Sequence, residues 1–340
     1  MNNTVLVTGG AGYIGSHACK ALAANGYNPV SYDNLCSGNK DHVRWGPLEI
    51  GDIRNQTRLT QVIKLYRPEA IMHFASLIRV GESVIKPSEY YDNNVFGTFC
   101  LLNVARKNDI RKMVFSSSAA VYGTPEADII AEDHPLRPVN PYGHTKLAME
   151  NMIRDYAAAY NLDYAILRYF NAAGADMSGE IGTAYKVDTH IIPLLMRVAS
   201  GDMKEIGIFG TDYPSPDGTA IRDYIHVQDL AEAHILALRH IGKRNARLTL
   251  NIGTSSGHSV QDVVDMARRI TKRPIPTRSG PRRSGDPHRL VADAAQARKL
   301  LDWKPLYSDL QTIVSSAWQW QKKKTGLDAT SEAIRYARAI

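Results

Sequence analysis

The hexapeptide PYGHTK, residues 141–146, sets Tyr142 and Lys146 four residues apart at the start of a helical pattern. On a helix that spacing puts a phenol and an ammonium on one face. The chemistry it suggests is removal of a proton from a hydroxyl. A tyrosine acts as a base near neutrality only if its pKa falls from about 10, which takes roughly 4 kcal/mol of differential stabilisation. An ammonium about 5 Å away, at an effective dielectric near 20, supplies roughly 3 kcal/mol. With 17 tyrosines in the chain, about one such pair arises by chance, so the surroundings must decide. Asn140 can cap the helix and Pro141 suits its first position, whereas Gly143 costs about 1 kcal/mol unless something approaches that turn closely. Upstream, Ser116, Ser117 and Ser118 end a β-rich run, and strand alternation turns Ser116 and Ser118 to one side. A serine there can hold the substrate hydroxyl that the tyrosine deprotonates.

A second group of residues implies what such a base would work beside. VLVT, residues 5–8, runs directly into GGAGYIG, in which Gly10, Gly12 and Gly15 satisfy G-x-G-x-x-G and Gly9, Gly12 and Gly15 satisfy G-x-x-G-x-x-G. Between a first strand and a first helix, such glycines let the backbone turn tightly and approach a pyrophosphate at the helix N-terminus. No GK[ST] follows, which argues against a P-loop. Asp33 ends the second β-rich run 18 residues after Gly15, where a carboxylate bonds ribose hydroxyls and repels a 2′-phosphate. The expected cofactor is NAD rather than NADP. An ordinary turn aspartate is the plainer alternative.

Positioning these groups requires elements in a particular order. Residues 5–8, 29–33, 48–52, 70–74, 112–118 and 164–170 read as strands, alternating with helical patterns at 16–25, 56–66, 88–107 and 142–160. That predicts an α/β fold: a doubly wound parallel Rossmann sheet with helices on both faces. After Asn171 the strict alternation stops, and a smaller mixed α/β domain is expected. The expected division is 1–174 for NAD, with 222–255 packing back on it, 175–320 for the substrate, and 321–340 as a tail of unassigned role.

The 340 residues, 44% apolar, are enough for two cores. No apolar run approaches the roughly 20 residues of a membrane span, and TVLVTGG reads as a strand and turn rather than a secretory segment. Cys19, Cys36 and Cys100 have neither CxxC nor zinc spacing, so reduced thiols in the cytoplasm and no metal are expected. His226 and His234 also lack ligand spacing. The net charge of +7 is local: residues 266–289 hold eight Lys/Arg and one acid, an excess equal to that of the whole chain. Such a segment fits a phosphate-bearing small ligand as well as RNA, with a solvated surface as the plain alternative.

The motifs TGGAGYIGSH, DNL, GDIRN, HFA, VGESV, YYDNN, SSSAAVYG, NPYGHTK, LRYFNAAGA, IFGTDYPSPDGTAIRDYIHV and RRSGD, in that order, resemble those of the UDP-glucose 4-epimerases, in the extended short-chain dehydrogenase/reductase family. The resemblance runs from about Thr4 to Trp320. It implies Tyr142 as base, Ser118 as its partner and Lys146 as its activator. It implies NAD contacts at Tyr13, Ile14, Asp33, Asn34, Asp52, Ile53, Phe74, Ala75, Asn93 and Phe170, beside the glycines and the Tyr142/Lys146 pair. UDP-sugar contacts follow at Asn171, Arg222, Arg283 and Asp286, with Phe209 lining the uracil and Leu290 at the gate that admits or refuses an N-acetyl group. The implied reaction interconverts UDP-glucose and UDP-galactose through a 4-keto sugar that rotates before re-reduction. The implied assembly is a homodimer through helices near 88–107 and 142–160.

Relatives that dehydrate the sugar carry an Asp-Glu pair after the serine run, and those that decarboxylate it carry a glutamate; Ala119 and Ala120 stand here and move no proton. Two positions depart from the family pattern, Ile78 for a lysine near the cofactor and His190 for a substrate-binding asparagine, and neither role is transferred. UDP-xylose/UDP-arabinose or UDP-N-acetylhexosamine epimerisation, and a non-catalytic dinucleotide- or RNA-binding scaffold, are the competing readings. The intact Tyr142/Lys146 pair favours catalysis, with no nucleic acid and no membrane as partner.

Overall fold

The computed structural model describes residues 3–183, 188–243, 246–283 and 285–327. The part of the 321–340 tail beyond Leu327 lies outside them. Seven parallel strands form the central sheet: β1 (Thr4–Thr8), β2 (Asn28–Asp33), β3 (Leu48–Ile50), β4 (Ala70–His73), β5 (Lys112–Ser118), β6 (Asp163–Tyr169) and, far along the chain, β11 (Arg247–Ile252). The order across the sheet is β11-β6-β5-β4-β1-β2-β3, so the winding reverses between β1 and β4. At such a reversal a crevice opens beyond the carboxyl ends of the strands, where ligands bind.

Seven short strands, β7 (Asn171–Ala173), β8 (Ile206–Phe209), β9 (Ile221–Arg222), β10 (Tyr224–His226), β12 (His258–Ser259), β13 (Thr277–Gly280) and β14 (Arg289–Leu290), make small satellite sheets. The helices are α1 (Tyr13–Ala24), α2 (Gln56–Tyr66), α3 (Val80–Ile85), α4 (Pro87–Tyr90), α5 (Gly97–Lys107), α6 (Pro141–Tyr160), α7 (Ile191–Ser200), α8 (Val227–Ile241), α9 (Val260–Thr271), α10 (Ala295–Leu301) and α11 (Leu310–Thr325).

Alternation along β1 sorts its side chains between two cores. Val5 and Val7 pack with Ala18 and Leu22 of α1 and Leu230 and Leu238 of α8; Leu6 packs on the other face with Leu59, Leu101, Met149 and Ile153 of α2, α5 and α6. A sheet covered on both faces explains the near-continuous apolar runs in its strands. A separate core joins α7, α9 and α11 through Leu195, Val263, Val264, Ile313 and Trp318. Ala294, Ala297, Leu301 and Trp303 pack in the sheet core although they lie within 175–320.

The strand read over 48–52 ends at Ile50 and the helix read over 16–25 begins at Tyr13; two further differences bear on the site. The helix read over 88–107 is α4, a π-helical stretch Tyr91–Phe96, then α5. Buried Asn94 accounts for the widened turns: its side chain bonds both the N–H and C=O of Leu77 and the Thr145 hydroxyl, holding the helix to a neighbouring loop. A wide turn of this kind is common near functional sites. The strand read over 164–170 ends at Tyr169, because the chain leaves the main sheet there and β7 pairs with β10 instead.

Candidate functional site

Helix α6 begins as its sequence predicts, with Pro141 in the first turn and the Asn140 side chain accepting from Gly143 N at 2.9 Å. A Cβ on Gly143 would stand 2.6 Å from the Ala120 carbonyl oxygen, so the close approach that demands glycine is that of the Ser118–Ala120 turn. The same approach brings the Ser118 side chain, which accepts from Ala120 N at 3.2 Å, close enough to the Tyr142 phenol to lower its pKa. Lys146, 1% exposed, donates to Ser116 O at 2.8 Å and to Ser76 Oγ at 3.0 Å, and its Nζ lies 5.9 Å from the centroid of the Tyr142 ring. One turn on, Glu150 accepts from Arg168 at 2.7 and 2.9 Å, from Arg154 at 2.7 Å and from Ser117 Oγ at 2.6 Å. Burial pushes the Glu150 carboxyl up, but Arg168 and these donors hold it below its ordinary value. The network clamps α6 onto β5 and β6.

The pKa argument from spacing needs correction. Burial pushes the Tyr142 phenol up to about 12, with only the Ser118 hydrogen bond opposing it, and pushes Lys146 down to about 7. Desolvation of the charged forms outweighs the attraction between the two groups. The ammonium by itself does not make the phenol a base.

The glycine turn sits at the reversal point. Gly9 has φ +76°, and a Cβ there would lie 2.7 Å from Ala75 N; a Cβ on Gly15 would lie 2.1 Å from Gly9 O. Gly12 stands at the N-cap of α1, where it supplies no side chain to bond the N–H groups of the first turn. Asp33, 7% exposed at the end of β2, accepts from Ala11 N at 3.0 Å and Leu35 N at 2.8 Å, and burial raises its pKa against both contacts. Its carboxylate therefore shapes the turn as well as facing the crevice. Asn34 donates to Asp52 at 3.0 Å, and Arg54 holds the Asp52 carboxyl far below the usual range.

Phe74 and Ala75 follow β4, Phe74 packing on His234 with centroids 4.8 Å apart. Ile53 is buried against Gly97, and Ile14 packs on the sheet core. Tyr13 donates to Gly174 O at 2.7 Å, and Asn93 donates to Asn94 at 2.9 Å. These residues line one edge of the sheet, from Asp33 at β2 to Ser118 at β5 and Phe170 beyond β6. A side-chain-free turn, an uncapped helix start and a buried carboxylate fit a dinucleotide.

Opposite this edge, Leu290 pairs in register with Arg222 and packs with Ala119, Tyr122, Ile130 and Phe170. Arg222 meets Asp286 at 2.5 Å, so two expected substrate ligands hold each other. The Arg283 guanidinium lies 4.4 Å over the ring of Phe209, which is 40% exposed. Asn171 opens β7. Much of the basic segment is engaged in surface pairs: Arg268 with Asp265, Arg278 with Glu205, Arg282 with Asp212. A cavity of about 310 Å³ near Arg106, Tyr156 and Tyr160 lies at the far end of α6 from Tyr142, and no candidate site residue lines it. Among the described residues, no group of three or more His, Cys, Asp or Glu is placed to hold a metal, and no helix is long and apolar enough to cross a membrane.

The model of the NAD dependent epimerase/dehydratase family matches residues 5–253. The chain belongs to that family. A UDP-glucose 4-epimerase of Rhizobium meliloti (strain 1021) is 48% identical over 323 residues, covering 95% of this chain and 98% of that protein. The crystal structure of UDP-glucose 4-epimerase from Brucella ovis in complex with NAD aligns with TM-score 0.91 at 48% identity, over 94% of this chain and 98% of that one. The enzyme from Bifidobacterium longum, in complex with NAD+ and UDP, aligns with TM-score 0.90 at 39% identity, over 94% and 98%.

Against the epimerase pattern, Ile78 is partly buried in the loop after β4, and Arg79 turns its guanidinium to Glu82 at 3.8 Å. His190 caps α7 with its ring 3.2 Å from Asp188. Sequence reasoning missed Ser76, Asn94 and the Glu150–Arg168 pair. For the pair, the available signal was Arg168 inside the apolar run of β6 and Glu150 four residues past Lys146 on α6.

Proposed function

We infer that this chain interconverts UDP-glucose and UDP-galactose by inverting C4 of the sugar, with NAD as a resident cofactor. The observation that carries the reading is the buried Tyr142 and Lys146 on one face of α6 at the sheet edge, with Ser118 beside the phenol and a glycine turn shaped for a dinucleotide next to them. Gly9, Gly12, Gly15 and Asp33 would hold NAD, Asp33 at a ribose, with Tyr13, Ile14, Asn34, Asp52, Ile53, Phe74, Ala75, Asn93 and Phe170 around it. NAD, when bound, supplies hydride acceptance at C4, its return on the other face, and a positive charge beside the phenol.

Ser118 holds the sugar 4-hydroxyl and Tyr142 removes its proton; after the 4-keto sugar turns over, Tyr142 gives the proton back. Arg222 and Arg283 take the diphosphate, Phe209 the uracil, and Asn171 and Asp286 the remaining polar groups. Ala119 and Ala120 offer no second acid or base, so the ketone is neither dehydrated nor decarboxylated. In this reading residues 1–174 with 222–255 form the NAD unit and 175–320 supply the substrate side.

We further propose a cytoplasmic homodimer. The exposed Phe96 and Phe99 beside α5 support pairing through this helix and α6, and three cysteines outside any disulfide suit a reducing compartment. The deciding experiment incubates the purified chain with UDP-galactose and no added cofactor, then assays the denatured supernatant for nucleotide. UDP-glucose formation with NAD released is the expected result. No conversion, or NADP in place of NAD, overturns the reading.

A further inference from the structure

Ser76 lies in the loop between β4 and α3, outside every motif that pointed to the site. Its Oγ stands 3.0 Å from Lys146 Nζ, and Ser116 O stands 2.8 Å from the same nitrogen. The groups facing that ammonium can be taken element by element. From α6 come Tyr142 and Glu150, but Arg168, Arg154 and Ser117 already occupy the Glu150 carboxylate. From β5 comes the Phe115 ring, 5.0 Å away, and from β4 comes His73. His73 has both ring nitrogens engaged by the Thr8 and Thr98 hydroxyls, and burial pushes its pKa down to about 3, so it stays neutral. The ammonium therefore rests on two neutral oxygens, one from the sheet backbone and one from Ser76. An ammonium has three N–H bonds in fixed tetrahedral relation, so fixing two of them fixes the direction of the third.

We propose that Ser76 is a positioning residue of the reaction, keeping Lys146 charged and aiming its remaining N–H. This rests on the reading of Tyr142 and Lys146 as the catalytic pair. Burial already pushes Lys146 down to about 7. Removing one hydrogen bond to a buried cation lowers its pKa by about one further unit.

The test uses the full chain with Ser76→Ala, Ser76→Cys and Ser76→Thr, read in two ways. The first is the titration of Lys146 by NMR with isotope-labelled lysine, assigned through Lys146→Gln; this needs no sugar. The second is the pH profile of kcat and KM for UDP-galactose. In Ser76→Ala the Lys146 titration and the alkaline limb of kcat both move down by about one pH unit. At pH 8 its kcat falls about tenfold while KM stays within about twofold. Ser76→Cys, of similar volume and a weaker acceptor, moves both in the same direction by less, and serves if the alanine variant does not fold. Ser76→Thr restores both. An unchanged Lys146 titration in the alanine and cysteine variants overturns the proposal whatever the turnover. A shifted titration in the variants, with a wild type that turns over no UDP-sugar, overturns the proposed function and the catalytic part of this proposal together. An unshifted kcat profile in an active enzyme makes Ser76 merely structural.

Discussion

Tyr142, Lys146 and Glu150 lie on a 20-residue helix seated against the central sheet, all less than a tenth exposed. Phe209 and Arg283 stack on each other at the end of a two-stranded ribbon, open to solvent. The first wall of the groove is held by long elements packed on both faces of a sheet; the second is assembled from strands of two to four residues and the turns between them. The difference teaches where the fold places rigidity. A proton transfer tolerates little misplacement, and the groups proposed for it sit where packing and buried hydrogen bonds set their position. Recognition of a diphosphate tolerates more, and longer charged side chains on an exposed edge can deliver it.

Four measurements strain this contrast, from the largest effect to the smallest. Tyr142→Phe should keep NAD content and folding while turnover falls by about 10²–10⁴; near-normal turnover would show that the rigid wall does not hold the base. Acid should act on the rigid wall first. His17 of α1 is buried with its Nε2 lacking any hydrogen-bond partner among the described residues, and burial pushes its pKa down to about 3. Between about pH 6.5 and 3 the unfolded chain binds a proton there that the folded chain refuses, so stability falls as pH falls. From pH 6.5 to 5 this histidine contributes a loss of about 1.6 kcal/mol, roughly 16-fold in the unfolding equilibrium. Urea midpoints across that range should show a flatter slope in His17→Gln, and an unchanged slope would place the acid sensitivity elsewhere.

On the open wall, Arg283→Ala should raise KM for UDP-galactose about tenfold, leaving kcat and the urea midpoint unchanged, since a solvent-facing charge contributes binding and little stability. A fall in kcat of the same size would make that wall part of the chemistry. Smallest is the change at Leu290, which packs with Ala119 and Phe170 where the two walls meet. Leucine fills space and offers an N-acetyl amide no hydrogen bond, at a cost of roughly 1–3 kcal/mol. The wild type should prefer UDP-galactose to UDP-N-acetylgalactosamine by about tenfold in kcat/KM, and Leu290→Ser should recover part of that difference. Equal efficiency in the wild type, or no recovery in the variant, would move the gate away from Leu290.

Much of the candidate site's local geometry was legible from the sequence because its signals are local. The glycine turn, Asp33 at a strand end, the Asn140–Pro141 start of α6 and the four-residue Tyr142–Lys146 spacing each follow from backbone geometry within a few residues. Alternation and helical periodicity likewise specify a parallel sheet covered on both faces, because each side chain's face depends on its own position in the element. The tertiary structure decided the rest. Ser76 reaches Lys146 across 70 residues, and Arg168 of β6 reaches Glu150 of α6. The π-helical stretch exists because Asn94 found partners at Leu77 and Thr145. The pKa values of Tyr142 and Lys146 went the other way from the spacing argument because they depend on burial. Burial is the sum of everything packed around a group, and no short stretch of sequence contains it.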